Sequence, residues 1–165
     1  MSSPSSLWQA LDEAIAAHLA AGLGEESDYT DLRIQSIEIG DTWDPDHMVK
    51  PGILIVSNDA DLGTGPHGAG PHALVAYAYL IVAVAEADSY REAKAAAQAL
   101  HQRMLGSLRQ WPAILKAAMS STSTGETADR LRFDRSRIEI RGRQGATRGK
   151  HLGIAVVAVE IDTTN

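Results

Sequence analysis

The 165 residues include no cysteine. That excludes a disulfide framework, thiolate zinc sites, iron–sulfur clusters and a cysteine nucleophile. Aromatic residues make up only 5 % of the chain, with a single phenylalanine, so surfaces on which nucleic-acid bases stack are scarce. The longest apolar run, Ala73 to Ala85, is shorter than the roughly 20 residues a membrane-spanning helix needs. The opening Met-Ser-Ser-Pro leads into an amphipathic pattern carrying Asp12, Glu13 and His18, which is neither a signal peptide nor a targeting helix. What is present is ordinary for a globular protein: 44 % apolar and 22 % charged residues, enough to bury a core without metals or disulfides. The length predicts one domain over residues 1–165.

Charge is unevenly spread. Residues 1–129 hold seven basic and seventeen acidic side chains, whereas residues 130–150 hold eight basic and two acidic ones. A segment this polarised meets something negative, whether nucleic acid, a membrane surface or the acidic face of another subunit, or it is a solvated basic hairpin.

Periodicity orders the elements. Leu7, Leu11, Ile15 and Leu19 form one helical stripe over residues 6–21, with Ser5 or Ser6 as cap and Gly22 and Gly24 at the end. Residues 32–39 read as a strand with a bulge at Gln35-Ser36, and residues 52–57 as a short buried strand. Residues 59–72, with four glycines and two prolines, are expected to be a mobile loop. Residues 73–86 are apolar on both faces, as in a central strand covered on both sides and paired in a hairpin with 52–57. Ser89 and Glu92 form a capping box for a second helix, whose stripe runs Tyr90, Ala93, Ala97, Leu100, Met104, Leu108 and Trp111. Pro112 starts a short third helix over 113–119, and the Ser/Thr/Gly-rich residues 120–127 form a connector. Strands over 137–143 and 152–162 finish the chain, giving a basic hairpin at 130–150. The sum is an α+β fold: a two-layer sandwich of a mostly antiparallel sheet packed with two main helices.

No catalytic constellation emerges. His47, His67 and His72, with Asp44, Asp46, Asp59 and Asp61, lack the spacing that pre-orients metal ligands and read as polar loop residues. The glycines of 63–70 resemble a phosphate-cradling loop only in composition, and no Lys-Ser/Thr pair follows them. There is no Gly-x-Ser-x-Gly elbow, and Glu25-Glu26 sit in a polar turn without an apolar pocket. The expectation is a protein without enzymatic activity, metal or cofactor. The basic residues are the functional candidates. On the strand over 137–143, alternation puts Arg137, Arg141 and Arg143 on one face with Glu139, opposite Ile138 and Ile140. Arg148 and Lys150 follow on a glycine-containing tip. Arg137, Arg141, Arg143, Arg148 and Lys150 are therefore the expected interface residues.

The ordering of elements also carries a family resemblance. It lies in the helix Leu7-Trp8-Gln9-Ala10-Leu11-Asp12-Glu13-Ala14-Ile15, the strand Pro51-Gly52-Ile53-Leu54-Ile55-Val56, and the strand Tyr77 to Val84. That last strand runs at once into Asp88-Ser89-Tyr90-Arg91-Glu92-Ala93 and an alanine-rich helix. Together these resemble the tail terminator (tail completion, neck) proteins of long-tailed bacteriophages, lambda-like and contractile-tailed alike, over about two-thirds of the chain. The resemblance implies a structural virion protein of the tail or neck, assembled in the host cytoplasm. Such a subunit forms a homo-oligomeric ring, a hexamer in the family. The ring caps the tail tube, stops its polymerisation and offers the surface for head attachment. Its implied partners are further copies of itself, the tail tube protein and the head–tail connector protein, with non-specific contact to DNA passing through the lumen and no membrane. An acidic flank and a basic flank suit head-to-tail ring contacts. Other readings are another ring-forming connector or neck protein, a non-specific nucleic-acid-binding module using 130–150, and a metal-dependent protein.

Overall fold

The computed structural model describes residues 6–24, 32–40, 47–62, 74–142 and 150–164. The elements follow in the order α1 (Leu7–Leu23), β1 (Ser36–Gly40), β2 (Gly52–Leu62), β3 (Leu74–Ala87), α2 (Tyr90–Leu108), α3 (Trp111–Ser121), β4 (Thr127–Gly142) and β5 (His151–Thr164). The strands form one five-stranded sheet in the order β1-β2-β3-β5-β4. Every pairing is antiparallel except β1 with β2, which is parallel. The α+β class and the mostly antiparallel sheet packed against helices are as the periodicity indicated, with α3 joining the two main helices.

The two main helices each start where a serine hydroxyl meets one of their first free N–H groups. The Ser6 hydroxyl accepts from Gln9 N at 3.1 Å, and the Ser89 hydroxyl accepts from Glu92 N at 3.1 Å. The stripe Leu7, Leu11, Ile15, Leu19, Leu23 of α1 is fully buried, as is Ala93, Ala97, Leu100, Met104, Leu108 of α2. These stripes, with Ile114, Leu115 and Ala118 of α3, pack on one face of the sheet against Ile53, Ile55, Tyr79, Ile81, Ala83, Ala155, Val157, Val159 and Ile161. Residues alternating with these point to the opposite, outer face. There Leu54, Val56, Val82, Val84, Leu152, Ile154 and Val156 form a second buried cluster with Met48. β3 is thus buried on both sides, as its unbroken apolar run requires.

Several boundaries differ from the sequence expectation. Residues 32–35 are not strand: β1 begins at Ser36 and has no bulge. The eleven-residue connection to β2 is long enough to permit this parallel pairing, and Met48 within it joins the outer face. Of the loop expected at 59–72, residues 59–62 instead continue β2 and pair with Val75–Ala78 after a register shift beyond Val56. Residues 63–73, with His67 and His72, lie outside the described residues. Tyr90, expected on the buried stripe of α2, opens the helix and is 58 % exposed. Trp111 opens α3 instead of closing α2. The connector over 120–127 shrinks to 122–126, and β4 begins at Thr127, ten residues ahead of the expected strand.

The two main helices are locked by a long-range tie. The Arg103 guanidinium on α2 donates to Leu32 O at 3.1 Å and to Leu23 O, at the C-terminus of α1, at 3.4 Å. The Leu23 carbonyl, at the helix end, has no intrahelical donor; the cation joins Ile34 N, at 3.2 Å, in satisfying it and complements the helix dipole. Arg103→Ala is expected to lower the unfolding free energy by about 1.5 kcal/mol, read from the urea midpoint.

Candidate assembly surface

The basic segment lies on β4, a sixteen-residue border strand. Cross-strand partners share a face, so register fixes which way each side chain points. Arg130, Arg132, Arg135, Arg137 and Arg141 stand across from Asp162, Glu160, Ala158, Val156 and Leu152 of β5, all on the outer face. Register shifts between Ala128 and Arg130 and between Phe133 and Arg135 insert Asp129 and Asp134 as extra residues. The bulge at Asp134 keeps Arg135, Arg137 and Arg141 on the same side as Arg130 and Arg132 despite the odd spacing between the two sets. The inner face of β4 carries Leu131, Phe133, Ser136, Ile138 and Ile140, across from Ile161, Val159, Val157, Ala155 and Gly153.

Much of the positive charge is answered within the subunit. Arg130 Nε donates to Asp162 Oδ2 at 2.7 Å. Arg132 donates through Nη2 to Glu160 Oε2 at 2.7 Å and to Asp162 Oδ1 at 2.8 Å, and through Nε to Asp162 Oδ2 at 2.9 Å. The hydrogen bonds from Arg132 chiefly, with those from Arg130, hold the Asp162 carboxyl below its ordinary range, against the opposing effect of burial. Arg141 Nε donates to Glu139 Oε1 at 2.8 Å. Lys150 Nζ donates to Asp88 Oδ1 at 2.6 Å, an exposed pair that lowers the Asp88 carboxyl and raises the lysine.

Of the five residues expected at an interface, Arg137 and Arg141 do share the outer face of β4. Lys150 stands at the start of β5, tied to Asp88, while Arg143 and Arg148 lie outside the described residues. Arg141 and Lys150 are thus partly neutralised, whereas Arg135 and Arg137 have no ion pair among the described residues. Arg135 was missed because the strand was expected to start at Arg137, and the bulge at Asp134 hides the alternation that would have revealed it.

On the inner face the strand outruns its helical cover. Leu105 and Arg109 of α2 line a shallow groove against the 133–136 segment of β4, with Phe133 and Ser136 facing them, and Ala95, Gln98 and His101 line another with Ile138. Phe133 is 41 % exposed and Ile138 38 %. Ile138 and Ile140 face the helix layer as alternation requires, but α2 does not reach far enough to bury them. The border of the sheet therefore combines two unpaired arginines outside with two exposed apolar side chains inside.

Of the histidine and aspartate residues weighed as metal ligands, Asp44, Asp46, His67 and His72 are outside the described residues. Among the described residues no group of three His, Asp or Glu side chains is placed to hold a metal ion. No described helix is long and apolar enough to cross a membrane.

Fold and surface together define an α+β protein with one mixed sheet, helices on a single face, and a charged and apolar border strand. No protein-family model matches the chain, and no curated protein matches it. Among solved structures it is similar to a chain of the virion of a native gene transfer agent particle, at a TM-score of 0.41 and 11 % identity, covering 96 % of this chain and 99 % of that one.

Proposed function

We propose that the protein is a structural virion subunit of the tail-terminator type: a non-enzymatic protein that self-associates into a ring, caps the tail tube and presents the head-attachment surface. The observation that carries this reading is the β4 border, where Arg135 and Arg137 on one face and Phe133 and Ile138 on the other stand open along a strand edge that has no partner strand among the described residues. Apolar side chains flanked by unpaired charge on a rigid sheet are what a protein–protein contact uses: the apolar part for affinity, the charge for register and steering. The resemblance in element order to phage tail terminators supplies the particular role, with tail tube and connector proteins as the other partners.

The nucleic-acid reading is disfavoured by the ion pairs. Arg130, Arg132, Arg141 and Lys150 all have carboxylates within 2.9 Å, which lowers the net positive charge the row offers a phosphate backbone. Phe133, the nearest aromatic, lies on the opposite face of the strand from the arginines.

Two experiments test the proposal. Disrupting the gene in the replicon that encodes it should give tails of uncontrolled length without heads, and head-bearing tails of normal length would overturn the role. Replacing Arg137, Arg141, Arg143, Arg148 and Lys150 together by serine should leave the fold nearly intact, because exposed ion pairs contribute only about 0–1 kcal/mol each. Assembly of that variant should fail, and assembly of the parent should weaken as salt rises. A five-fold variant that supports normal particle yield would show the strip to be a solvated face.

A further inference from the structure

Two strands border the sheet, and among the described residues each leaves one row of backbone N–H and C=O groups without a partner strand. Open edges are usually blunted by bulges or charge. The bulges of β4 lie before Arg135, and from Arg135 to Gly142 its register against β5 is unbroken. That stretch is longer than the five residues of β1.

The two edges match face by face. On β1, Glu38 stands across from Leu54, whose side chain belongs to the outer cluster, so Glu38 points outward. Ile37 and Ile39 stand across from Ile53 and Ile55 and point to the helix side. On β4, Arg135 and Arg137 point outward while Phe133 and Ile138 point to the helix side. Opposite charges thus occupy the outer face of both edges. Exposed apolar side chains occupy the inner face of both: Ile39 at 46 % exposure, with Phe133 and Ile138. Strand direction matches as well. β1 runs with β2, and the antiparallel steps β2-β3-β5-β4 make β4 run against it. A second copy in the same orientation beyond β4 therefore offers its β1 antiparallel to β4.

We infer that β1 of one copy adds to the Arg135–Gly142 edge of the next copy's β4, continuing the sheet from subunit to subunit with Glu38 facing Arg137 and Ile37 facing Ile138. In this register Gly40 lies across from Arg135, leaving room for its long side chain, and Ile39 lies across from Ser136 beside Ile138. A slip of one residue would turn Glu38 onto the apolar inner face. A slip of two would set Glu38 against Glu139 in one direction and run Ile39 onto the Asp134 bulge in the other. The contact is head-to-tail, joining two different surfaces, so it generates a ring when the rotation between copies closes. It rests on the assembly reading above only in taking the partner to be a second copy.

The test is a charge exchange followed by sedimentation and native mass measurement over a concentration series up to the highest attainable. Glu38→Arg alone and Arg137→Glu alone should each weaken self-association by on the order of tenfold or more, since each sets like charges face to face. Combining the two should restore it. Both side chains are exposed, so unchanged urea midpoints control for folding. Because the chain has no cysteine, Glu38→Cys with Arg137→Cys should give an oxidation ladder of disulfide-linked multimers that neither single variant gives. Multimers that ignore every one of these changes would overturn the edge pairing and leave ring assembly standing through another surface. A parent that stays monomeric throughout would overturn the pairing too, while the tail-length experiment judges the virion role independently.

Discussion

Gly153→Ala should destabilise the fold by about 3 kcal/mol, the upper part of the range for overpacking a tight core, and Gly153→Val by more. Gly153 lies in β5 on the helix side, across from Ala85 and Ile140. A Cβ there would fall onto the carbonyl oxygen of Ala93 and stand 3.3 Å from the Ala97 Cβ. Ala93 belongs to the backbone of α2, so no rotamer change relieves the collision and the helix itself must rise. The same helix buries Leu100 and Met104 against the sheet, and lifting it opens that layer along its length. Small residues set the approach: Ala93 and Ala97 on the helix, Ala83, Ala85 and Ala155 beneath it. Gly106→Ala, on the exposed side of the same helix with nothing within 4 Å of the new methyl, provides the control. It should stabilise by about 0.5–1 kcal/mol through helix propensity alone. Urea unfolding of the pair reads both effects, and an alanine at 153 that costs nothing would mean α2 does not sit this close to β5.

The same close approach marks the limit of what the chain discloses unaided. Ser89, Glu92 and the alanine-rich stripe were legible because caps and a 3.6-residue period are local signals, and both main helices lie where those signals put them. The central position of β3 was legible because only a strand covered on both faces is apolar at every residue. The parallel pairing of β1 was not, since Ser36–Gly40 reads the same whichever way its neighbour runs. β4 was half legible. The alternation Arg137, Ile138, Glu139, Ile140, Arg141 declares a strand, but the bulges at Asp129 and Asp134 break the period just where the strand begins. The candidate surface shows the same division. That the arginines share a face follows from alternation. That Arg130 and Arg132 find Asp162 and Glu160 depends on a cross-strand register spanning about thirty residues, which no local pattern encodes. Charge counted along the chain therefore exaggerated the charge the surface presents.

Two carboxylates should give the stability of the protein a pH dependence with opposite slopes on either side of the ordinary aspartate value near 3.8. Asp12, on α1 where it meets β2 and β3, accepts on Oδ1 from the Tyr79 hydroxyl at 2.8 Å and from the Ser57 hydroxyl at 2.9 Å. Burial raises its pKa, and the two hydrogen bonds only partly offset that. The folded protein therefore holds the Asp12 proton more tightly than the unfolded chain, and this group removes stability as pH rises from 3.8 to its raised value, then no further. Asp162, held low by Arg132 and Arg130, acts in the other direction: its contribution is complete above 3.8 and is lost as pH falls below it. Asp12→Asn keeps an oxygen for Tyr79 and Ser57 and should abolish the decline above 3.8, leaving the acid limb. Asp162→Asn should remove that acid limb and leave the decline. Tyr79 is 2 % exposed, and burial beside Asp12 pushes its phenol far above the usual range, so it remains a donor throughout. Tyr79→Phe leaves the half-buried carboxylate with Ser57 alone and strips a donor from a charged acceptor, at a cost of about 2 kcal/mol near neutrality. Because that cost concerns the ionised form, it should shrink once Asp12 is protonated in acid. Urea unfolding of the parent, Asp12→Asn, Asp162→Asn and Tyr79→Phe from about pH 2 to 7 measures each limb, and a Tyr79→Phe loss that stays constant across that range would place the hydroxyl's worth in its 3.4 Å bond to Trp8 O instead of the carboxylate.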